Sequence, residues 1–245
     1  MRQILIKQNP DELAKAAVDQ FAQIANRAIV AHGVFSVALA GGSTPHHLYS
    51  LLASENHRLK LDWSRVEFFF SDERHVPPDS DQSNYRMAKE TLLEPLSISE
   101  PRIHRWQSEL PDANDAANAY ETELREYFDR SGRPLDLVLL GLGEDAHTAS
   151  LFPNTPALQE IERFAVANWV EKLDTDRLTM TFSAINDASN VMFIVSGRYK
   201  AEAVLSVLEG EFRPDDLPAQ FVNPENGELY WMLDEAAASL LENER

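Results

Sequence analysis

The 245 residues contain no cysteine, which excludes disulfide staples, thiolate nucleophiles and cysteine-ligated zinc. Basic residues are scarce: 22 Lys and Arg stand against 40 Asp and Glu, a formal net charge of −18. That balance argues against nucleic acid as a partner, because a phosphate backbone demands a basic footprint. It argues equally against adsorption to an anionic membrane surface. The last 45 positions hold 11 acidic and only 2 basic residues, and read as a solvated acidic face. No apolar run approaches membrane-spanning length, and Met1-Arg2-Gln3-Ile4-Leu5-Ile6-Lys7 lacks a signal-peptide core. Metal-binding spacings are missing too. There is no His-x-x-x-His, and the adjacent His46 and His47 do not share a helix face. No Gly-x-Ser-x-Gly elbow occurs. With 44% hydrophobic and 25% charged residues, the chain is ordinary globular material. The expectation is a cytoplasmic protein, one domain over residues 1–245, without metal or cofactor, as a monomer or homodimer.

What is present is alternation. Short apolar runs at 4–6, 35–40, 66–70, 135–140, 164–169, 178–182, 191–195 and 229–233 are separated by helical patterns. Several runs show little polar alternation, as expected of strands buried on both faces of a parallel sheet. Asn9 is placed to cap a first helix, with Pro10 at its first position and Glu12 at its third. Leu13, Ala16, Ala17, Phe21, Ile24, Ala28 and Ile29 then form an apolar stripe, and Gly33 is a natural left-handed stop. Further helices are expected from about 45, and over 85–93, 115–128, 199–208 and 235–241. The pattern predicts an α/β fold: an open, doubly wound, mostly parallel sheet with helices on both faces, Rossmann-like. The polar stretch 77–83 reads as a long surface connection.

In such sheets ligands sit beyond the carboxyl ends of the strands, so the segments after each run carry the functional signal. After 35–40 comes Gly41-Gly42-Ser43-Thr44-Pro45. Its glycines permit close backbone approach, Thr44 is a candidate N-cap, and Ser43, Thr44 and the helix amides form a candidate anion site. It lacks the lysine of a nucleotide P-loop. After 66–70 comes Ser71-Asp72-Glu73-Arg74, where Arg74 is expected to lean on a neighbouring carboxylate and face a substrate oxygen. After 135–140 comes Gly141-Leu142-Gly143-Glu144-Asp145-Ala146-His147. A histidine at a ligand edge beside carboxylates is a candidate general base. The formal Gly-x-Gly-x-x-Ala fit to a dinucleotide fingerprint is discounted, because Glu144 and Asp145 would repel a pyrophosphate. After 191–195 comes Ser196-Gly197-Arg198-Tyr199-Lys200, whose cations sit unfavourably at a helix start unless an anion joins them. Arg177 is a further candidate cation.

Taken in order, these segments closely resemble 6-phosphogluconolactonases: Gly41-Gly42-Ser43-Thr44-Pro45, Ser71-Asp72-Glu73-Arg74-x-Val76-Pro77 with Ser83-Asn84-Tyr85-Arg86-Met87-Ala88, Gly141-x-Gly143-x-Asp145-x-His147-Thr148-Ala149-Ser150-Leu151-Phe152-Pro153, Arg177-x-Thr179-x-Thr181 and Gly197-x-x-Lys200. The resemblance runs from about residue 10 to the C-terminus. It implies a fold related to glucosamine-6-phosphate deaminase and a metal-free hydrolysis of 6-phospho-D-glucono-1,5-lactone to 6-phospho-D-gluconate, in the oxidative pentose phosphate pathway. The family's base falls on His147 and its arginine on Arg74. Two positions depart from the family: Ala146 and Asn154 stand where it usually has glycine, which matters if those residues need positive φ.

The reaction expected from this resemblance has His147 take a proton from water as it attacks C1, with Asp145 or Glu144 orienting the ring. Arg74 and amides of the 141–143 loop would stabilise the oxyanion. Gly42, Ser43, Thr44, Asp72, Arg177 and Lys200 are the expected substrate and phosphate contacts. Two rivals are weaker. A hexosamine-phosphate isomerase or deaminase would carry Glu where this chain has Phe152, and an aromatic where it has Arg74. A sugar-phosphate-sensing regulator would need a DNA-binding segment that this acidic sequence does not supply.

Overall fold

The computed structural model describes residues 2–242. Six strands form one sheet: β1 (Arg2–Lys7), β2 (Phe35–Leu39), β3 (Val66–Phe70), β5 (Leu137–Leu140), β8 (Asn190–Val195) and β9 (Glu228–Asp234). Their order is β1-β9-β8-β5-β2-β3, and every pairing is parallel. β2, β3 and β5 are buried apart from Glu67, and β8 and β9 along nearly all their length, which is why these runs read as continuous apolar sequence. The helices flanking the sheet are α1 (Pro10–His32), α2 (Ser43–Leu52), α3 (Asn84–Ala88), α4 (Ala113–Ser131), α5 (Phe182–Asp187) and α6 (Ala201–Leu208). Asn9 caps α1 through Glu12 N–H, and Gly33 ends it at φ 89°. Among the described residues no helix is long and apolar enough to cross a membrane.

The connection from β2 leads to β3 on one side, while β5 lies on the other side of β2. The sheet therefore has a switch point between β2 and β5, where loops diverge and leave a crevice. The loops leaving β2 and β5 are those opened by Gly41 and Gly141.

Four local expectations are revised. The runs at 164–169 and 178–182 do not join the parallel sheet. They become β6 (Ala165–Val170) and β7 (Thr175–Met180), which with β4 (Asp72–Arg74) make a separate antiparallel sheet. The second run ends early because Thr181 caps α5 with its hydroxyl. The helix expected over 85–93 is α-helical only to Ala88 and then widens into a π-turn over Lys89–Leu93, where Thr91 bonds back to the Met87 carbonyl. The segment 235–241 forms turns rather than a helix: Asp234 ties down Ala237 N–H, and seven residues are too few to nucleate a helix unaided. At α2 the cap is Gly42, not Thr44, which lies inside the helix.

Candidate active site

A cavity of about 560 Å³ opens at the switch point, within the usual range for small-molecule sites. Gly42, Ser43, Thr44, Asp72, Arg74, Asp145, His147, Arg177 and Lys200 all line it, so the structure brings together every candidate from five different segments. Arg74, Lys172, Arg177 and Lys200 face Asp72, Glu144 and Asp145 around its wall. A chain of net charge −18 thus gathers a local excess of cations here.

The β5 loop brings the candidate base, His147, to the cavity. His147 Nδ1 meets Asp145 Oδ1 at 2.5 Å, and the Asp145 oxygen also accepts from the His147 N–H at 3.3 Å. Of Asp145 and Glu144, it is Asp145 whose carboxylate contacts the ring. A carboxylate at Nδ1 demands a proton there, which leaves the Nε2 lone pair as the basic position of neutral His147. Phe152 stacks on the imidazole, with ring centroids 4.1 Å apart. Burial would raise the Asp145 carboxyl, but the His147 bond and charge, joined by the Lys172 ammonium, outweigh it and hold the group well below the usual carboxylate range. Gly143 is required by this pair rather than by a ligand: a Cβ there would lie 2.5 Å from Asp145 Oδ1 and overlap the His147 ring. Its N–H donates to the His147 carbonyl at 2.8 Å, so this amide is committed to the loop and not open to an oxyanion. Ala146 has φ 60° and Asn154 φ 57°, so both departures from glycine do occupy left-handed backbone.

The β3–β4 segment is anchored by a residue the sequence reading passed over. Glu73 is 1% exposed, and its carboxylate accepts the N–H groups of Arg74, Asn84 and Tyr85 and the Ser83 hydroxyl, at 2.7–2.9 Å. Burial pushes this carboxyl up, against the pull of those bonds. It closes the 77–83 loop onto α3 and fixes where Arg74 leaves the strand. Arg74 itself donates to the Gln82 carbonyl at 2.5 Å, rather than to the expected carboxylate. Asp72 accepts from Ser150 Oγ at 2.6 Å and Asn84 Nδ2 at 3.2 Å, tying the β5 loop to α3. Gly41 approaches closely for the same reason, since a side chain there would collide with Asn84.

The cations come from separate elements. Arg177 stands directly opposite Arg74 in the β4–β7 register, a like-charge pairing that is unfavourable on its own. Its Nε is buried without a hydrogen-bond partner. Burial lowers the Arg177 guanidinium, and the Arg74 charge adds to the effect against Asp72 and Glu73. Lys200, at the start of α6, is likewise lowered by burial, partly offset by Glu144 and Asp145. The turn before it is held by buried Asp234, which accepts from Ser196 Oγ and Gly197 N–H. Across the cavity, α2 begins at Gly42, φ 107°, with no side-chain cap, so its first amides point outward unsatisfied by the helix. Arg177-x-Thr179-x-Thr181 divides its labour: Arg177 faces the cavity, Thr179 Oγ1 accepts the Ser150 N–H at 3.2 Å, and Thr181 caps α5.

Lys172 and Tyr199 also line the cavity and were not singled out from sequence. Lys172 sits in a short turn without motif character and Tyr199 at an unspecified position of the Gly197-x-x-Lys200 turn, so only proximity in space marks them. Among the described residues no group of three or more His, Asp or Glu side chains is arranged to hold a metal ion.

The sequence is similar to proteins named 6-phosphogluconolactonase. One from Nostoc sp. is 40% identical over 243 residues, covering 95% of this chain and 96% of the relative. One from Synechocystis sp. is 40% identical over 218 residues, 88% of each. Among solved structures, the 6-phosphogluconolactonase of Trypanosoma brucei superposes with a TM-score of 0.87 at 29% identity, covering 99% of both chains. The profile described as glucosamine-6-phosphate isomerases/6-phosphogluconolactonase matches residues 8–231. The chain belongs to the glucosamine-6-phosphate isomerase/6-phosphogluconolactonase family.

Proposed function

We propose that this chain is a single-domain cytoplasmic enzyme that hydrolyses 6-phospho-D-glucono-1,5-lactone to 6-phospho-D-gluconate, with His147 as general base and no metal. The lactonase activity rests on its relatives, which carry that name along nearly their whole length. The observation that carries the mechanism is the Asp145–His147 contact at Nδ1, which leaves Nε2 as the proton acceptor of the neutral ring.

In this reading water sits between His147 Nε2 and C1 of the lactone. His147 takes one water proton as the C–O bond forms, and the carbonyl oxygen becomes an oxyanion. Arg74 stabilises that charge, since the Gly143 amide is already committed. The tetrahedral intermediate collapses, the ring C–O bond breaks, and the imidazolium returns its proton to the departing ring oxygen. Asp145 stays ionised throughout and supports the imidazolium. Ser43, Thr44, the open amides of α2, Arg177 and Lys200 receive the 6-phosphate. Phe152, in place of the carboxylate that proton transfer at carbon would use, favours hydrolysis over isomerisation.

The test is a lactonase assay with spontaneous hydrolysis subtracted at each pH, on wild type and His147→Gln, before and after exhaustive EDTA treatment. The wild-type rate should survive chelation, and the Gln variant should lose about 10²- to 10⁴-fold in kcat. A rate lost to EDTA and restored by a divalent ion, or a Gln variant near wild-type kcat, would refute the mechanism.

A further inference from the structure

We infer that Lys172 is a positioning residue for His147: it braces Asp145 and Phe152 against the imidazole and takes up part of the Asp145 charge. The inference rests on the histidine-base reading above.

The geometry is specific. Lys172 lies 27 positions beyond Asp145, in the turn Glu171–Leu173 that joins β6 to β7. Its ammonium forms an ion pair with Asp145 Oδ2, while Oδ1 faces His147 Nδ1. The same ammonium lies 4.7 Å from the centroid of Phe152, the ring stacked on His147. One cation therefore touches both supports of the imidazole. A carboxylate with His147 as its only partner would favour the imidazolium, which cannot accept a proton. Shared with Lys172, its pull is weaker. Lys172 is half-exposed, with 52% of its side chain accessible, so it costs little to hold and water partly screens it.

The charged groups around His147 come from several elements. On its own loop are Asp145 and Glu144. The β6–β7 turn brings Lys172, the start of α6 brings Lys200, and β4 and β7 bring Asp72, Arg74 and Arg177. Asp72 is held by Ser150 and Asn84, and Lys200 is drawn to Glu144 as well as Asp145. Among the described residues Lys172 is the one cation in direct ion-pair contact with Asp145.

The experiment follows the His147 ring resonances by NMR against pH in the intact wild type, Lys172→Met and Lys172→Arg, alongside kcat and KM over the same range. In Lys172→Met the imidazolium should persist to a pH roughly half to one unit higher. The acid limb of kcat should move with it, while KM changes less than about twofold. Lys172→Arg should restore both. Ring titration unmoved in Lys172→Met overturns the inference, as does a raised KM with an unchanged pH profile, which would mark Lys172 as a substrate contact. Ring titration that moves while the kcat profile does not would keep the Lys172 brace and refute His147 as the base.

Discussion

Gly143→Ala isolates the Asp145–His147 pair from the fold. Gly143 does not lie in the left-handed region, so alanine brings no backbone strain of that kind. Its side chain, however, has no room. The added Cβ would stand 2.5 Å from Asp145 Oδ1 and overlap His147 Nδ1 and Cε1, where real Cβ contacts stay beyond 3.0 Å. Both groups are the working ends of side chains that are about 30% exposed, so they can move outward. The ring must shift by about 1 Å or more, and a misplacement of that size costs about 10²-fold in rate. Full loss of the base sets the upper bound, about 10⁴-fold. We expect kcat to fall by about 10²- to 10⁴-fold, with the unfolding midpoint moved only slightly because the displaced groups are half in water. The assay is lactone hydrolysis at neutral pH, paired with urea unfolding. A variant that folds normally and keeps kcat within about threefold of wild type would refute the assignment of Gly143 to the Asp145–His147 pair.

Three further outcomes are expected. Arg177→Ala and Lys200→Ala should each raise KM for the phosphorylated lactone about tenfold or more, with little change on unphosphorylated gluconolactone; equal losses on both substrates would exclude them as phosphate ligands. Ala146→Gly should leave stability within about 1 kcal/mol, because relief of left-handed strain is offset by a looser unfolded chain and a lost buried methyl. Ala146→Val, by contrast, should cost more than about 2 kcal/mol in urea unfolding, since a branched side chain tolerates φ 60° poorly. Asp145 is held below its usual range in the folded protein, so its contribution to stability is present above the ordinary carboxylate pKa and is lost as pH falls. The stability gap between wild type and Asp145→Asn should therefore be widest near neutrality and narrow below about pH 4; a gap independent of pH would contradict it.

Much of the site was legible because its signals are local. Gly42 and Gly33 announce backbone that other residues enter with strain, and Asn9 with Pro10 announces a helix start. The alignment of loops at one sheet edge follows from parallel strands, so the Gly41 and Gly141 segments had to meet once the fold class was right. The helix start at α2 was legible, although the cap fell on Gly42 rather than Thr44.

The second sheet was not legible. Asp72–Arg74 reads as a polar loop, and only its pairing with β7 makes it a strand. Asp234 shows the same limit, because its side chain serves turns more than thirty residues away and no spacing rule reaches that far.

The sequence by itself determined the class of fold and the histidine after a buried strand, because periodicity, composition and turn residues act over a few positions. The tertiary structure decided which carboxylate holds His147, that Glu73 rather than Arg74 anchors the β4 segment, and that Lys172 reaches the pair. Those choices depend on contacts between residues from 1 to 27 positions apart, and hydrogen-bond geometry in a packed interior selects one partner where the sequence offers several.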